Sequence, residues 1–181
     1  MTSEREQEEG PVKGAFNKAS DMVGGMVGMA AASTAGGRST GAFLMNAVVG
    51  NLYEVQAAKT ALERSRSVAV RNLALKMIDD HTTAAHQLHS ALRMNETKDV
   101  EPPPQELDDR HAGMIRHLME ASEDDFDDRY LDQQVMAHQE TATLLKTYGE
   151  DGENPQLRSW ATSSLPVVER HLEMVRRIKS R

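Results

Sequence analysis

Apolar residues in this chain recur at alternating steps of four and three, and in four separate stretches an ionisable residue, Glu or His, breaks the stripe. Ala47, Asn51, Glu54, Ala58 and Ala61 share one helical face, and Met77, His81, Ala84 and Leu88 share a second. Leu131, Val135, His138, Ala142 and Leu145 make a third, and Val167, His171, Met174 and Ile178 a fourth. Stripes of this period belong to helices that each bury one face, and four such helices can bury them on one another. No strand-like alternation bounded by hairpin turns appears downstream of the N-terminal region. Aromatic residues make up only 4% of the chain, while good helix formers abound. The chain is read as all-α.

Five helical segments are expected, over about residues 40–64, 67–94, 105–121, from the acidic SEDDFDD stretch to about 148, and 156–179. Three consecutive prolines in KDVEPPPQ end the second, because proline cannot continue a helix. Pro166 implies a kink or a late start in the last. Short links join the first two segments and the last two, so each pair should form an antiparallel hairpin. The long link between the pairs, with its own short helix, matches the crossover of a ferritin-like four-helix bundle. At 181 residues the chain suits one domain with a sizeable core, placed at 39–181. Residues 1–38 are first acidic, then rich in Gly, Ala and Met. The small residues of MVGGMVGMAAAS would let a helix pack closely on a partner, so this segment is read as flexible or as an interaction helix.

Glu54, His81, His138 and His171 are the chemistry in this pattern. Glu54 lies about ten residues before the first hairpin turn and His81 about fifteen after it, and His138 and His171 stand in nearly the same relation to GEDGENP. At ~1.5 Å per residue each pair falls within about two turns of one level. Phase and height therefore allow all four side chains to meet in one layer. An unpaired buried charge costs several kcal/mol, and one divalent metal would satisfy all four groups. A mutually hydrogen-bonded polar core is the alternative. The residues three before the histidines are Ile78, Val135 and Val168, so the Glu-x-x-His pairs of dinuclear bundles are absent and one ion fits better than two. Imidazole and carboxylate without sulfur suit iron, manganese, zinc or nickel. Asn51 and Gln134, one turn away on inward faces, are candidates to hydrogen-bond the ligands. So are Asp80, beside His81 but off its stripe, and Tyr130, about two turns before His138. His86, His89, His111 and His117 suit solvated or capping roles, with His117 expected to be exposed. No catalytic residue and no organic cofactor is assigned.

Several function classes are disfavoured. A net charge of −7 with interspersed signs is not a nucleic-acid footprint. Arg176, Arg177, Lys179 and Arg181 cluster where they complement a helix C-terminus. The chain contains no cysteine, which removes disulfides, thiolate ligands and thiol nucleophiles. No Gly-rich phosphate loop or nucleophile elbow is present. The acidic start is unlike a signal peptide, and the apolar run from Met22 to Ala32 is too short and glycine-broken to span a bilayer. A cytoplasmic protein without membrane or nucleic-acid partners is expected.

The segments GNLYEVQAAK, MIDDHTTAAHQL, FDDRYLDQQVMAHQE and LPVVERHLEMV together resemble the bacterial DUF4142 family, a ferritin-like group often labelled predicted outer-membrane proteins. The likeness extends from about Gly41 to Arg177. Its Asp-His pair, Phe-Asp-x-x-Tyr start and Leu-Pro-x-x-x-x-His ending occur in order. The resemblance implies a ferritin-like four-helix fold and strengthens the expectation of a metal site, but supplies no activity. The expected function is a metal-binding protein of bacterial stress physiology, with one iron, manganese or zinc ion in the bundle and redox activity within its chemical reach. The alternative is a non-enzymatic protein that forms homo-oligomers through its N-terminal segment or bundle surface, with a purely structural polar core.

Overall fold

The structure is a computed structural model, and it describes residues 11–33, 38–94 and 97–181. All its regular elements there are helices: α1 (Pro11–Ser33), α2 (Thr40–Arg64), α3 (Val68–Ala91), α4 (Asp109–Glu120), α5 (Phe126–Asp151) and α6 (Pro155–Lys179). Their starts follow local chemistry. Ser39, Ser67, Asp108 and Asn154 each accept a hydrogen bond from a backbone N–H in the first turn that follows, satisfying a donor the helix cannot satisfy itself. Pro155 occupies the first turn of α6, where a missing N–H costs nothing. The helix then continues through Pro166, so the late start is not seen.

The α2–α3 and α5–α6 hairpins pack side by side, α2 on α5 and α3 on α6. The intervening chain carries α4, which lies against α2 and α5. This is the ferritin-like connectivity expected from the sequence, with a short helix in the crossover. Arg64, at the end of α2, donates to the carbonyls of Leu118 (2.9 Å) and Ala121 (2.7 Å), anchoring the C-terminus of α4 to the hairpin turn.

The core falls into two apolar clusters. One holds Tyr53, Ala57, Ala61, Leu73, Met77, Leu118, Phe126 and Val175. The other holds Phe43, Leu44, Leu88, Leu145, Tyr148, Leu157 and Trp160, with Phe43 stacked on Tyr148 at 3.8 Å between ring centres. Along α3, α5 and α6 the chain passes from one cluster to the other at His81, His138 and His171. The polar layer therefore occupies the level where the two halves of the core meet.

The N-terminal segment, read as flexible or an interaction helix, is helical over Pro11–Ser33, and it packs on α5 and α4 of its own chain. Its glycines make this approach. A Cβ on Gly25 would stand 3.2 Å from Met136 Sδ, and one on Gly28 would collide with the Glu140 carboxylate. The small-residue face thus has an intramolecular partner. Asp21, 5% exposed, completes the seam: Gln133 Nε2 (2.6 Å) and His117 Nδ1 (2.7 Å) both donate to it. Tyr53 Oη in turn donates to Gln133 Oε1 at 2.9 Å. Residues 1–10 and 34–37 lie outside the described residues.

A Gly25→Leu substitution adds a branched side chain where one carbon already crowds Met136. We expect α1 to undock, giving faster amide hydrogen exchange over residues 11–33 with α2, α3 and α6 unchanged. Asp21→Ala should destabilise the fold by about 1–3 kcal/mol in chemical denaturation, since Gln133 Nε2 and the largely buried His117 Nδ1 both lose a bond to it. Unaltered exchange in the first variant would refute the docking.

Candidate metal centre

His81, His138 and His171 come from α3, α5 and α6 and are 4%, 1% and 1% exposed. Their ring centres form a nearly equilateral triangle, with separations of 5.6 Å (His81–His138), 5.4 Å (His81–His171) and 5.3 Å (His138–His171). One nitrogen of each ring lies within 4.8 Å of the corresponding nitrogen of the other two.

The remaining nitrogens define the tautomers. His138 Nδ1 donates to the Gln134 carbonyl at 2.9 Å, and His171 Nε2 donates to Asp80 Oδ2 at 2.7 Å. His81 Nδ1 donates to Asn51 Oδ1 at 2.8 Å. All three partners are acceptors, so each ring spends its N–H outward and turns its lone pair inward. His81 Nε2 is buried without a hydrogen-bond partner among the described residues. His138 Nε2 and His171 Nδ1 face each other at 3.3 Å. With both N–H groups committed elsewhere, that approach sets two lone pairs against one another. Three converging lone pairs in a buried layer fit a bound cation.

Glu54 is placed differently from the four-ligand expectation. It is 2% exposed and accepts from Gln134 Nε2 at 2.7 Å. Its Oε1 lies 3.5 Å from His138 Nδ1, the outward nitrogen of that ring. The reason is positional: Gln134 stands one turn before His138 on α5, and it fixes both the carboxylate and the N–H edge of the imidazole. Glu54 therefore flanks the triad without joining it. Glu54 Oε1, Gln134 Oε1 and Tyr130 Oη are buried without hydrogen-bond partners among the described residues. Asp80 is off the α3 stripe, as helical phase requires. It nonetheless reaches His171, because α6 lies along that flank.

Burial sets the electrostatics. It pushes Glu54 above the ordinary carboxyl value, against the opposing pull of His138 and Gln134. Tyr130 is raised well above 10.0 by burial and then by the Glu54 charge. Burial, followed by repulsion from the other two imidazoles, holds His81 well below 6.5. His171 falls to about 4, chiefly through burial, with the Asp80 bond opposing. Burial raises Asp80, but the bonds from Lys76 and His171 outweigh it and leave the carboxyl below 3.8. His81 and His171 thus rest as neutral imidazoles, His171 beside ionised Asp80.

One group departs from the sequence reading. His117, expected to be exposed, has a side chain only 13% exposed and pairs with Asp21. The periodicity of α4 gives no sign of this, because the burial is created by α1. His111 Nδ1 bonds Asp108, the residue that caps α4, at 2.7 Å, in keeping with a capping role. The structure also shows a cleft of about 820 Å³ between α3 and α6, reaching His81 and His171. Only its tertiary setting makes it visible.

The histidine shifts fix a pH dependence for the metal-free protein. Well above pH 6.5 His81 and His171 are neutral whether the chain is folded or unfolded. As pH falls from 6.5 towards about 4, the unfolded chain takes up protons that folded His171 refuses, so stability drops through that window. Denaturant titrations between pH 8 and pH 4 should show the decline, and His171→Gln should make it shallower, leaving the share that His81 contributes. An equally steep decline in that variant would assign the effect elsewhere.

Among the described residues no helix is long and apolar enough to cross a membrane. Comparison with curated proteins found no match, and comparison with solved structures found none. A family model described as a domain of unknown function, DUF4142, matches residues 25–178. That span starts within α1 and ends near the close of α6, taking in the whole histidine layer. The chain belongs to the DUF4142 family.

Proposed function

We propose that this protein binds one transition-metal ion through His81, His138 and His171. The observation that carries the reading is the 3.3 Å approach of His138 Nε2 and His171 Nδ1 with both N–H groups spent on outward acceptors. The outward partners support it, since carboxylate and carbonyl acceptors behind imidazoles are the usual second support of a metal site. Glu54 supplies a carboxylate beside His138, held by Gln134. Three nitrogen ligands suit zinc or iron better than manganese, which favours oxygen donors. A three-histidine set leaves a position for water or substrate, as in catalytic zinc sites. A bound ion would supply Lewis acidity, or one-electron chemistry if it is iron, and the latter would suit stress physiology. Superoxide is a poor substrate: it is an anion, and the cleft that reaches the site offers no lysine or arginine in its lining to steer it.

Elemental analysis of protein purified without an affinity tag tests the binding. We expect close to one zinc or iron per chain. Alanine at His81, His138 or His171 should each lower affinity by at least tenfold. Metal should also raise the unfolding free energy by about 2.7 kcal/mol at a free concentration 100 times Kd. Metal-free protein after reconstitution, or a His138→Ala variant that binds equally well, would sink the reading.

A second reading is favoured by a different observation. The outer side of α1 exposes Val12, Phe16, Met22, Val23, Met26 and Val27, each more than half accessible. Val12, Phe16, Ala19, Val23 and Met26 follow steps of four and three, the spacing of a helix–helix seam. In this reading α1 joins copies of the chain, and the polar layer only specifies packing. Light scattering of the full chain and of Phe16→Glu discriminates: a dimer that the substitution dissociates supports it, and monomers in both count against it.

A further inference from the structure

The cleft between α3 and α6 is built for more than solvent. Its volume of about 820 Å³ lies in the range of small-molecule sites. Thr83, Gln87 and Ser90 line it from α3, and Gln156, Ser159 and Ser163 from α6. Ser90, Ser159 and Ser163 spend their hydroxyl protons on carbonyls of their own helix. Their oxygens remain available as acceptors. Thr83, Gln87 and Gln156 make no side-chain hydrogen bond among the described residues and offer both donors and acceptors. Trp160, Val167 and Val168 add an apolar wall. The Trp160 indole N–H is already satisfied by the Ala84 carbonyl at 3.3 Å, so this residue presents carbon.

Charge narrows the ligand further. The lining contains no lysine or arginine, and its single carboxylate is Asp80. That carboxylate is taken up on both oxygens, by Lys76 at 2.8 Å and by His171 at 2.7 Å. A phosphate or a carboxylate finds no permanently charged cation in the lining, where His86 is the one imidazole outside the centre, and an ammonium finds no free anion. Hydroxyl and amide groups beside an apolar wall suit a molecule with a hydroxylated rim and an apolar C–H face.

We propose that the α3–α6 cleft binds an uncharged, multiply hydroxylated molecule of sugar size and presents it to the His81 and His171 side of the histidine centre. Any reaction at that centre rests on the metal reading, whereas binding in the cleft does not. The two are tested separately. Trp160 is the only tryptophan in the chain, so its emission reports the cleft.

Full-length metal-free protein is titrated with glucose, glucuronate and glucosamine, which match in size and differ in charge. Emission and calorimetry are followed in parallel, and zinc uptake is measured on the same preparation. We expect a saturable response to glucose, with glucuronate and glucosamine at least tenfold weaker. Gln87→Ala should weaken glucose binding by about three- to tenfold, the loss of one hydrogen bond. Ala84→Phe, which fills the cleft, should abolish the response while zinc uptake persists. No saturable response to glucose, equal responses to all three probes, or full binding by both variants would overturn the proposal. Zinc uptake without glucose binding removes the cleft site and leaves the metal centre. Glucose binding without zinc uptake supports the cleft and removes the metal centre.

Discussion

Three imidazoles with their N–H edges committed outward are the constraint around which the rest of this bundle is arranged. Each outward bond comes from a different place: a side-chain amide on α2, a carboxylate on α3 and a backbone carbonyl on α5. Two of these bonds cross between helices. The Asn51–His81 bond ties α2 to α3, and the Asp80–His171 bond ties α3 to α6. The polar layer thus fixes the rotation of the helices about their axes, something apolar packing specifies only loosely. It does so at the level where two separate apolar clusters meet, and these supply the burial that keeps His81 and His171 neutral.

Much of this was legible in the sequence because helical phase is a local property. The stripes through His81, His138 and His171 identified inward faces, and the proline run and the GEDGENP turn fixed the hairpins. Phase does not specify which nitrogen of a ring points inward. Glu54 shares the layer, but it meets the wrong edge of His138 because Gln134, a residue on another helix, holds it there. Asp80 presents the opposite case. Off the stripe of its own helix, it becomes a partner because α6 packs on that flank.

The N-terminal helix shows the same limit from another direction. Its glycine-rich composition reads equally as a flexible tail or as a surface for close helix packing. The choice depends on whether a complementary surface exists, and α5 provides one through Met136, Glu140 and Gln133. The burial of His117 follows from that docking, so no reading of α4 alone could have found it. With α1 and α4 both set against the α2–α5 side, the α3–α6 side keeps a cleft that reaches His81 and His171.

Helix α5 serves three directions at once. His138 faces the centre, Gln133 reaches the Asp21 seam, and Glu140 pairs with Arg110 beside Gly28. Each residue added to or removed from a helix turns everything beyond it by about 100°. A single-residue insertion between Gln133 and His138 would leave composition and hydropathy almost unchanged, yet it would throw the centre and the α1 seam out of register together. This helix should therefore accept conservative replacements far more readily than any change of length, because its spacing, more than the identity of its individual residues, keeps the three contacts in register.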